Sequence, residues 1–238
     1  MVNGLSQLYR AANVMHNKMT DISITANNLA NINTVGFKRE LPFAEVISRM
    51  TNSPIKQLTD FSEGEFSQTG NPLDLAISKN GFFMIKTDKG VQLTKNGHFK
   101  LTEDGGIVDT KGNPVITEGG DLNLLEYTLN KNNKIKISKE GEITVGKEVV
   151  DQLKIAKIDD PTTMVRENGG NFSFPNGGYS EASEDDYEIE QGYLEGSNTN
   201  AILEMEQMIS MNKEYETAQK IIKAIDQQLA MAKEIGKV

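Results

Sequence analysis

Apolar residues recur every seven positions at both ends of the chain and every two positions in between. Near the N-terminus one row reads Leu5, Ala12, Met19, Ala26, and a second reads Leu8, Met15, Ile22, Leu29. Seven-residue spacing keeps each row on one stripe of an α-helix, so the pattern predicts a helix with a coiled-coil seam. It stops at Asn31-Ile32-Asn33-Thr34-Val35-Gly36, where Gly36 admits a positive φ. The C-terminus repeats the device. Ala201, Met208, Tyr215, Ile222 and Leu229 form one row, and Met211, Ala218, Ile225 and Ala232 the other, which Glu204 interrupts. Asn198 or Asn200 suits the N-cap of this helix, and Glu204 suits its first turns, near the positive end of the dipole. Ile202, Leu203, Met205, Ile209 and Ile221 lie off the seam. Pairing of the two helices within one molecule would satisfy the seams alone. Burial in an assembly would cover the off-seam residues too, and the pattern favours that arrangement.

Between the helices the period changes to two. Strands are predicted at residues 82–87, 91–94, 98–101 and 107–108, separated by Asp88-Lys89-Gly90, Asn96-Gly97, Asp104-Gly105-Gly106 and Lys111-Gly112-Asn113-Pro114. Ile135, Ile137, Ile143, Val145, Val149, Val150, Leu153 and Ile155 continue the theme. Residues 73–160 therefore read as an all-β domain of short antiparallel strands. The less regular residues 36–72, with Pro42 and Pro54, read as an extended connector. Residues 161–196, rich in Gly, Asn and acid, read as the return path. The fold class is α+β: coiled-coil helices at 1–35 and 197–238 flank an inserted β-domain.

Composition narrows the function. The chain has 238 residues, 25 Lys and Arg against 34 Asp and Glu, and a net charge of −9. No basic cluster is present, which argues against a nucleic-acid partner. The absence of Cys removes disulfides, thiolate nucleophiles and zinc ribbons. The longest apolar run, Phe82-Phe83-Met84-Ile85, is far too short for membrane insertion, and the first twenty residues lack the apolar centre of a cleaved signal. A chain of this kind that leaves the cytoplasm does so without one.

Candidate chemistry is sparse. His16 and His98 are isolated from other ligand types. Gly141 to Lys147 has the glycine and lysine spacing of a phosphate-binding loop, but Glu148 stands where a hydroxyl must hold magnesium, and Ile143 and Val145 alternate like a strand. Glu181, Glu184, Asp185, Asp186, Glu188 and Glu190 crowd together as a solvated acidic face. No catalytic constellation, cofactor site or metal site emerges, and no enzyme is expected.

Three separated motifs are recognisable. Ala26-Asn27-Asn28-Leu29-Ala30-Asn31-Ile32-Asn33-Thr34-Val35-Gly36-Phe37-Lys38-Arg39 resembles the N-terminal signature of the bacterial flagellar rod and hook proteins. Gln191-Gly192-Tyr193-Leu194-Glu195-Gly196-Ser197-Asn198, leading into the C-terminal helix, resembles that family's C-terminal signature. Gly70-Asn71-Pro72-Leu73-Asp74-Leu75-Ala76-Ile77, followed by Gly81-Phe82-Phe83, matches the entrance to its inserted domain. Within the family, the inserted domain points to the larger rod proteins, and the short connector to the proximal member, with the distal one as near alternative.

The resemblance implies a structural subunit of the basal-body rod. Its terminal helices would form the inner coiled-coil layer of a hollow helical tube that transmits torque. It would be exported unfolded by the flagellar type III apparatus and would assemble with copies of itself and other rod subunits, in a rod crossing the periplasm if the cell is Gram-negative. Both seams would carry assembly. Asn27, Asn28, Asn31 and Asn33 would fix the turn after the first helix, and Phe37, Phe82 and Phe83 would be core. The competing reading is a discrete coiled-coil oligomer displaying a β-rich, adhesin-like binding domain.

Overall fold

A computed structural model describes residues 2–41, 58–120, 122–124, 134–167 and 169–235. These fall into two compact units. One comprises Met1–Ile32, Arg39–Asp60 and Thr199–Val238; the other comprises Asn33–Lys38 and Phe61–Asn198.

The first unit is built on α1 (Val2–Ala30) and α2 (Ala201–Ile235). Both match the heptad segments, and α2 begins at the expected cap: the Asn200 Oδ1 accepts from the amides of Ile202 (3.0 Å) and Leu203 (3.3 Å). A two-residue antiparallel ladder, Glu40–Leu41 with Leu58–Thr59, completes the described part.

The second unit is all-β, with every ladder antiparallel. Its largest sheet runs in the order Val165–Arg166, Phe172–Ser173, Gly90–Thr94, Gly81–Thr87, Ile155–Ile158, Tyr179–Glu181. A three-stranded sheet joins Glu148–Gln152, Glu142–Val145 and Ile135–Ile137, and separate ladders pair Tyr187–Gln191 with Leu75–Lys79 and Tyr193–Glu195 with Phe66–Gln68. The strand Gly81–Thr87 explains the core. Alternation sends Phe83 and Ile85 into one cluster with Leu75, Ile77, Phe99 and Ile155. It sends Phe82 into a second cluster with Leu93, Ala156 and Phe172. Phe61, Phe82 and Phe172 meet edge to face, with ring centroids 5.5–6.1 Å apart.

Two expectations change. Residues 161–196 are not a free return connector, because strands within them pair with Leu93, with Ile155–Ile158, with Leu75–Lys79 and with Phe66–Gln68. Pairing supplies what their composition lacks, since each short segment completes a sheet begun far away in sequence. Asn96-Gly97 is not a two-residue hairpin either. Its carbonyl at Gly97 accepts from the Leu75 amide at 3.0 Å, and a Cβ on Gly97 would stand 1.8 Å from the Leu75 carbonyl oxygen. That glycine serves a close backbone approach rather than a turn.

Candidate assembly interface

The helices α1 and α2 pack antiparallel: Lys18 reaches Glu214 at 2.8 Å, Thr25 Oγ1 lies 3.9 Å from Met211 Sδ, and Asn28 meets Glu204. With about 100° per residue, Met208, Met211, Tyr215, Ala218, Ile222 and Ile225 share one stripe of α2. All are half-buried, as is Ala201. Opposite them, within an arc of about 60°, lie Ile202, Met205 and Ile209. These are exposed by 77, 52 and 55%. The sequence left all three off the seam together with Leu203 and Ile221, which face elsewhere, and the structure gathers the three into a short second apolar face. Met231, 57% exposed, shares their side of the helix about six turns past Ile209, beyond Lys213, Glu216, Lys220 and Lys223. On α1 the two heptad rows part company. Met15, Ile22 and Leu29 are half-buried, whereas Ala12, Met19 and Ala26 are exposed. The side chains of Leu5, Leu8, Leu229 and Ala232 lie outside the described ones.

A buried polar knot ties the helical unit together. Asn28 is fully buried and holds both backbone polar groups of Glu40 with its side-chain amide, each at 2.9 Å. Its Nδ2 also lies 3.3 Å from Glu204 Oε2. Glu204 is itself fully buried, and its other oxygen accepts from Arg39 Nε; Arg39 Nη2 reaches Gln207 at 3.3 Å. The residue that interrupts the α2 seam is thus a carboxylate with a cation of its own. Nearby, Asn31 Nδ2 donates to the Asn27 carbonyl at 2.8 Å and so closes the last turn of α1.

The β-unit has a knot of the same kind. Lys38 and Glu195 side chains are both fully buried and meet at 2.6 Å; Lys38 also donates to the Ser62 carbonyl (2.7 Å), and the Gly64 amide donates to Glu195 Oε1 (2.9 Å). Gly36 enters this region with φ +67°, donating its amide to the Glu195 carbonyl at 2.7 Å. A Cβ there would fall 2.4 Å from Lys95 C and Asn96 N, so only glycine fits. Phe37, buried beside it, stacks under the Arg166 guanidinium at 4.7 Å. Lys95 donates to the carbonyls of Ile77 and Lys79, each at 3.0 Å, and lies 5.0 Å from the Phe82 ring centre. Burial pushes its ammonium down to about 8, against the opposing pull of Glu195. At the other motif, Gly192 turns with φ +83° and donates to the Asp74 carbonyl at 2.8 Å, while Asn198 Nδ2 donates to the Ser62 carbonyl at 3.0 Å. Leu194 and Ser197 are half-buried between them in sequence.

The remaining chemical candidates resolve as scaffolding. Residues 141–148 form the strand Glu142–Val145 and the turn at Gly146. His98 Nδ1 pairs with Asp74 at 2.6 Å, and His16 is exposed on α1. Within the acidic run, the Lys157 ammonium and the Ser183 hydroxyl hold Asp186 down to about 2, and Lys139 lowers Glu188.

Known proteins place these motifs. Residues 8–38 match the family described as flagella basal body rod protein, residues 76–145 the flagellar hook protein FlgE/F/G D1 domain, and residues 190–235 the flagellar basal body rod FlgEFG protein C-terminal region. The flagellar basal-body rod protein FlgF of Buchnera aphidicola subsp. Baizongia pistaciae is 31% identical over 213 residues, covering 83% of this chain and 84% of that one. The chain belongs to the flagellar basal-body rod family. FlgF of Caulobacter vibrioides is 27% identical to this rod protein over 214 residues (85% of this chain, 86% of that one). FlgG of the same Buchnera subspecies is 28% identical over 244 residues (88% and 91%). The rod subunit is most like FlgF, with FlgG the near alternative, and its place is the basal body. Its role is structural, and nothing in these likenesses supports the adhesin-like reading. Among the described residues of this rod protein, no helix is long and apolar enough to cross a membrane.

Proposed function

We propose that this rod subunit polymerises through its helical unit into a hollow helical tube that transmits torque. It contacts copies of itself and other rod subunits, and the flagellar type III apparatus exports it. In a Gram-negative cell the tube crosses the periplasm. The observation that carries the reading is the second apolar face of α2, centred on Ile202, Met205 and Ile209, opposite the face that packs on α1. Water-exposed Ile and Met in this density are what a subunit keeps for its neighbours. The exposed α1 row of Ala12, Met19 and Ala26 offers a second surface, while Met15, Ile22 and Leu29 and the half-buried α2 stripe hold the pair in register.

The decisive variant is Ile209→Asp. Ile209 is 55% exposed, so the folded monomer changes by no more than about 0.5 kcal/mol. Rod assembly is lost, because a carboxylate buried between subunits has no partner. Electron microscopy of basal bodies from cells carrying the variant reads this directly, and rods of normal length would overturn the proposal.

A further inference from the structure

Sulfur in this chain is confined to methionine: ten Met and no Cys. Its distribution is uneven. Met15, Met19, Met205, Met208, Met211 and Met231 all lie on the two helices, whereas Met84 and Met164 are half-buried in the β-unit. Within the helical set, Met15, Met208 and Met211 are half-buried, and Met211 Sδ lies against Thr25. Met19, Met205 and Met231 stand 57, 52 and 57% exposed; Met205 falls on the second apolar face of α2, Met231 on the same side of that helix about six turns past Ile209, and Met19 on the exposed row of α1.

We propose that Met19, Met205 and Met231 are oxidation sites of the unassembled rod subunit, and that their conversion to sulfoxides keeps it from joining its neighbours. This rests on the assembly reading above. A peroxide supplies the chemistry: the thioether sulfur attacks one peroxide oxygen, the O–O bond breaks, an S=O bond forms, and water leaves. Sulfur is oxidised by two electrons, and the peroxide is reduced by two. The product exchanges a polarizable apolar group for a polar, chiral one at the positions that must lose water on assembly. With no thiol in the chain to react first, exposure alone orders the targets. Methionine sulfoxide reductases acting on both epimers restore the thioether, so the site is reversible.

The test uses the full-length protein treated with graded hydrogen peroxide. Mass-spectrometric peptide mapping of the unassembled chain should find Met19, Met205 and Met231 oxidised at least ~5-fold faster than Met84 and Met164, given their exposure. Equal rates would overturn the assignment whether or not the chain assembles. Sedimentation of assembled material should show the critical concentration rising ~10-fold or more once two of the three are oxidised, since each buried Met side chain is worth that order in binding. Treatment with both reductases should reverse the rise. The triple variant Met19→Leu, Met205→Leu, Met231→Leu has a critical concentration of its own, which peroxide should leave unchanged; a peroxide-driven rise equal to the parent's would refute the proposal. Failure of the untreated parent to assemble under any condition would instead count against the assembly reading, and the peptide map would still decide the oxidation sites.

Discussion

The knot at Glu204 makes a prediction about which charge is costlier to abandon. Glu204 is fully buried, while the Arg39 side chain is 19% exposed. Replacing Glu204 by Gln removes the charge but keeps the shape. Asn28 retains its two 2.9 Å bonds to Glu40, and the Arg39 guanidinium keeps Gln207 and a route to water. The cost should be about 1–2 kcal/mol, the net value of a charge-assisted hydrogen bond. Replacing Arg39 by Met strands a carboxylate with no solvent access beside a single 3.3 Å amide contact, and should cost about 3–5 kcal/mol. The double variant, with neither charge, should be more stable than Arg39→Met alone by about 1–3 kcal/mol. Hydrogen exchange followed by mass spectrometry suits the assay, because it reads amide protection at 20–30 and 201–210 separately from the β-unit. Equal losses for the two single variants, or a double variant no better than Arg39→Met, would refute the argument from buried charge.

Two further predictions concern the β-unit. Gly36→Ala should destabilise it by more than about 2 kcal/mol, combining a positive φ with a 2.4 Å backbone overlap, whereas Gly70→Ala, also at positive φ (+73°) but with nothing within 4 Å, should cost only about 1 kcal/mol; thermal unfolding compares them. Lys95, pushed down to about 8 by burial, gives a pH signature. Between pH 8 and its unfolded value of 10.5 the unfolded chain holds a proton that the folded one has released, so this group's contribution to stability rises with pH across that window. Urea unfolding at pH 7.5 and 10 should show the parent gaining about 2–3 kcal/mol relative to Lys95→Met, and no relative gain would refute the burial argument.

Heptad spacing exposed both helices, because a long periodic pattern needs no knowledge of its partner. Period-two alternation similarly exposed the strands at 81–87 and 90–94, whose pairing is local. What escaped was non-local. Phe172–Ser173 is two residues long and exists because Phe172 pairs with Leu93; Tyr187–Gln191 exists because it lies against Leu75–Lys79. Composition alone made that region look like a linker. Glu204 was legible only as a break in a seam, and Lys38 and Arg39 only as part of a family signature, since nothing in a linear pattern announces that a charge will be buried. The recurrence of Asn, four times from 27 to 33 and twice at 198–200, did carry signal. Asn28, Asn31, Asn198 and Asn200 each make a side-chain bond to backbone, the work for which that residue type is favoured at helix ends.

The two knots also account for why the recognisable motifs lie where they do. Lys38 and Arg39 are consecutive, yet Lys38 pairs with Glu195 inside the β-unit and Arg39 with Glu204 inside the helical one. The N-terminal motif thus delivers one cation to each unit, and the C-terminal motif and the start of the helix after it return one carboxylate each, Glu195 and Glu204. An apolar pair of equal volume would hold either unit together as well or better, because desolvation offsets most of the Coulombic gain. What an apolar pair lacks is a unique partner. A Leu in place of Lys38 could pack against many surfaces, but a buried ammonium tolerates only the place where Glu195 and the Ser62 carbonyl wait for it. For a chain whose two ends must find each other across more than 150 intervening positions (157 separate Lys38 from Glu195), that selectivity serves correct pairing more than stability. On this reasoning Lys38→Met with Glu195→Leu should fold at least as stably as the parent while losing uniqueness, with extra amide resonances for residues 62–64 in NMR spectra; a destabilised but single conformation would show that the pair is there for energy instead.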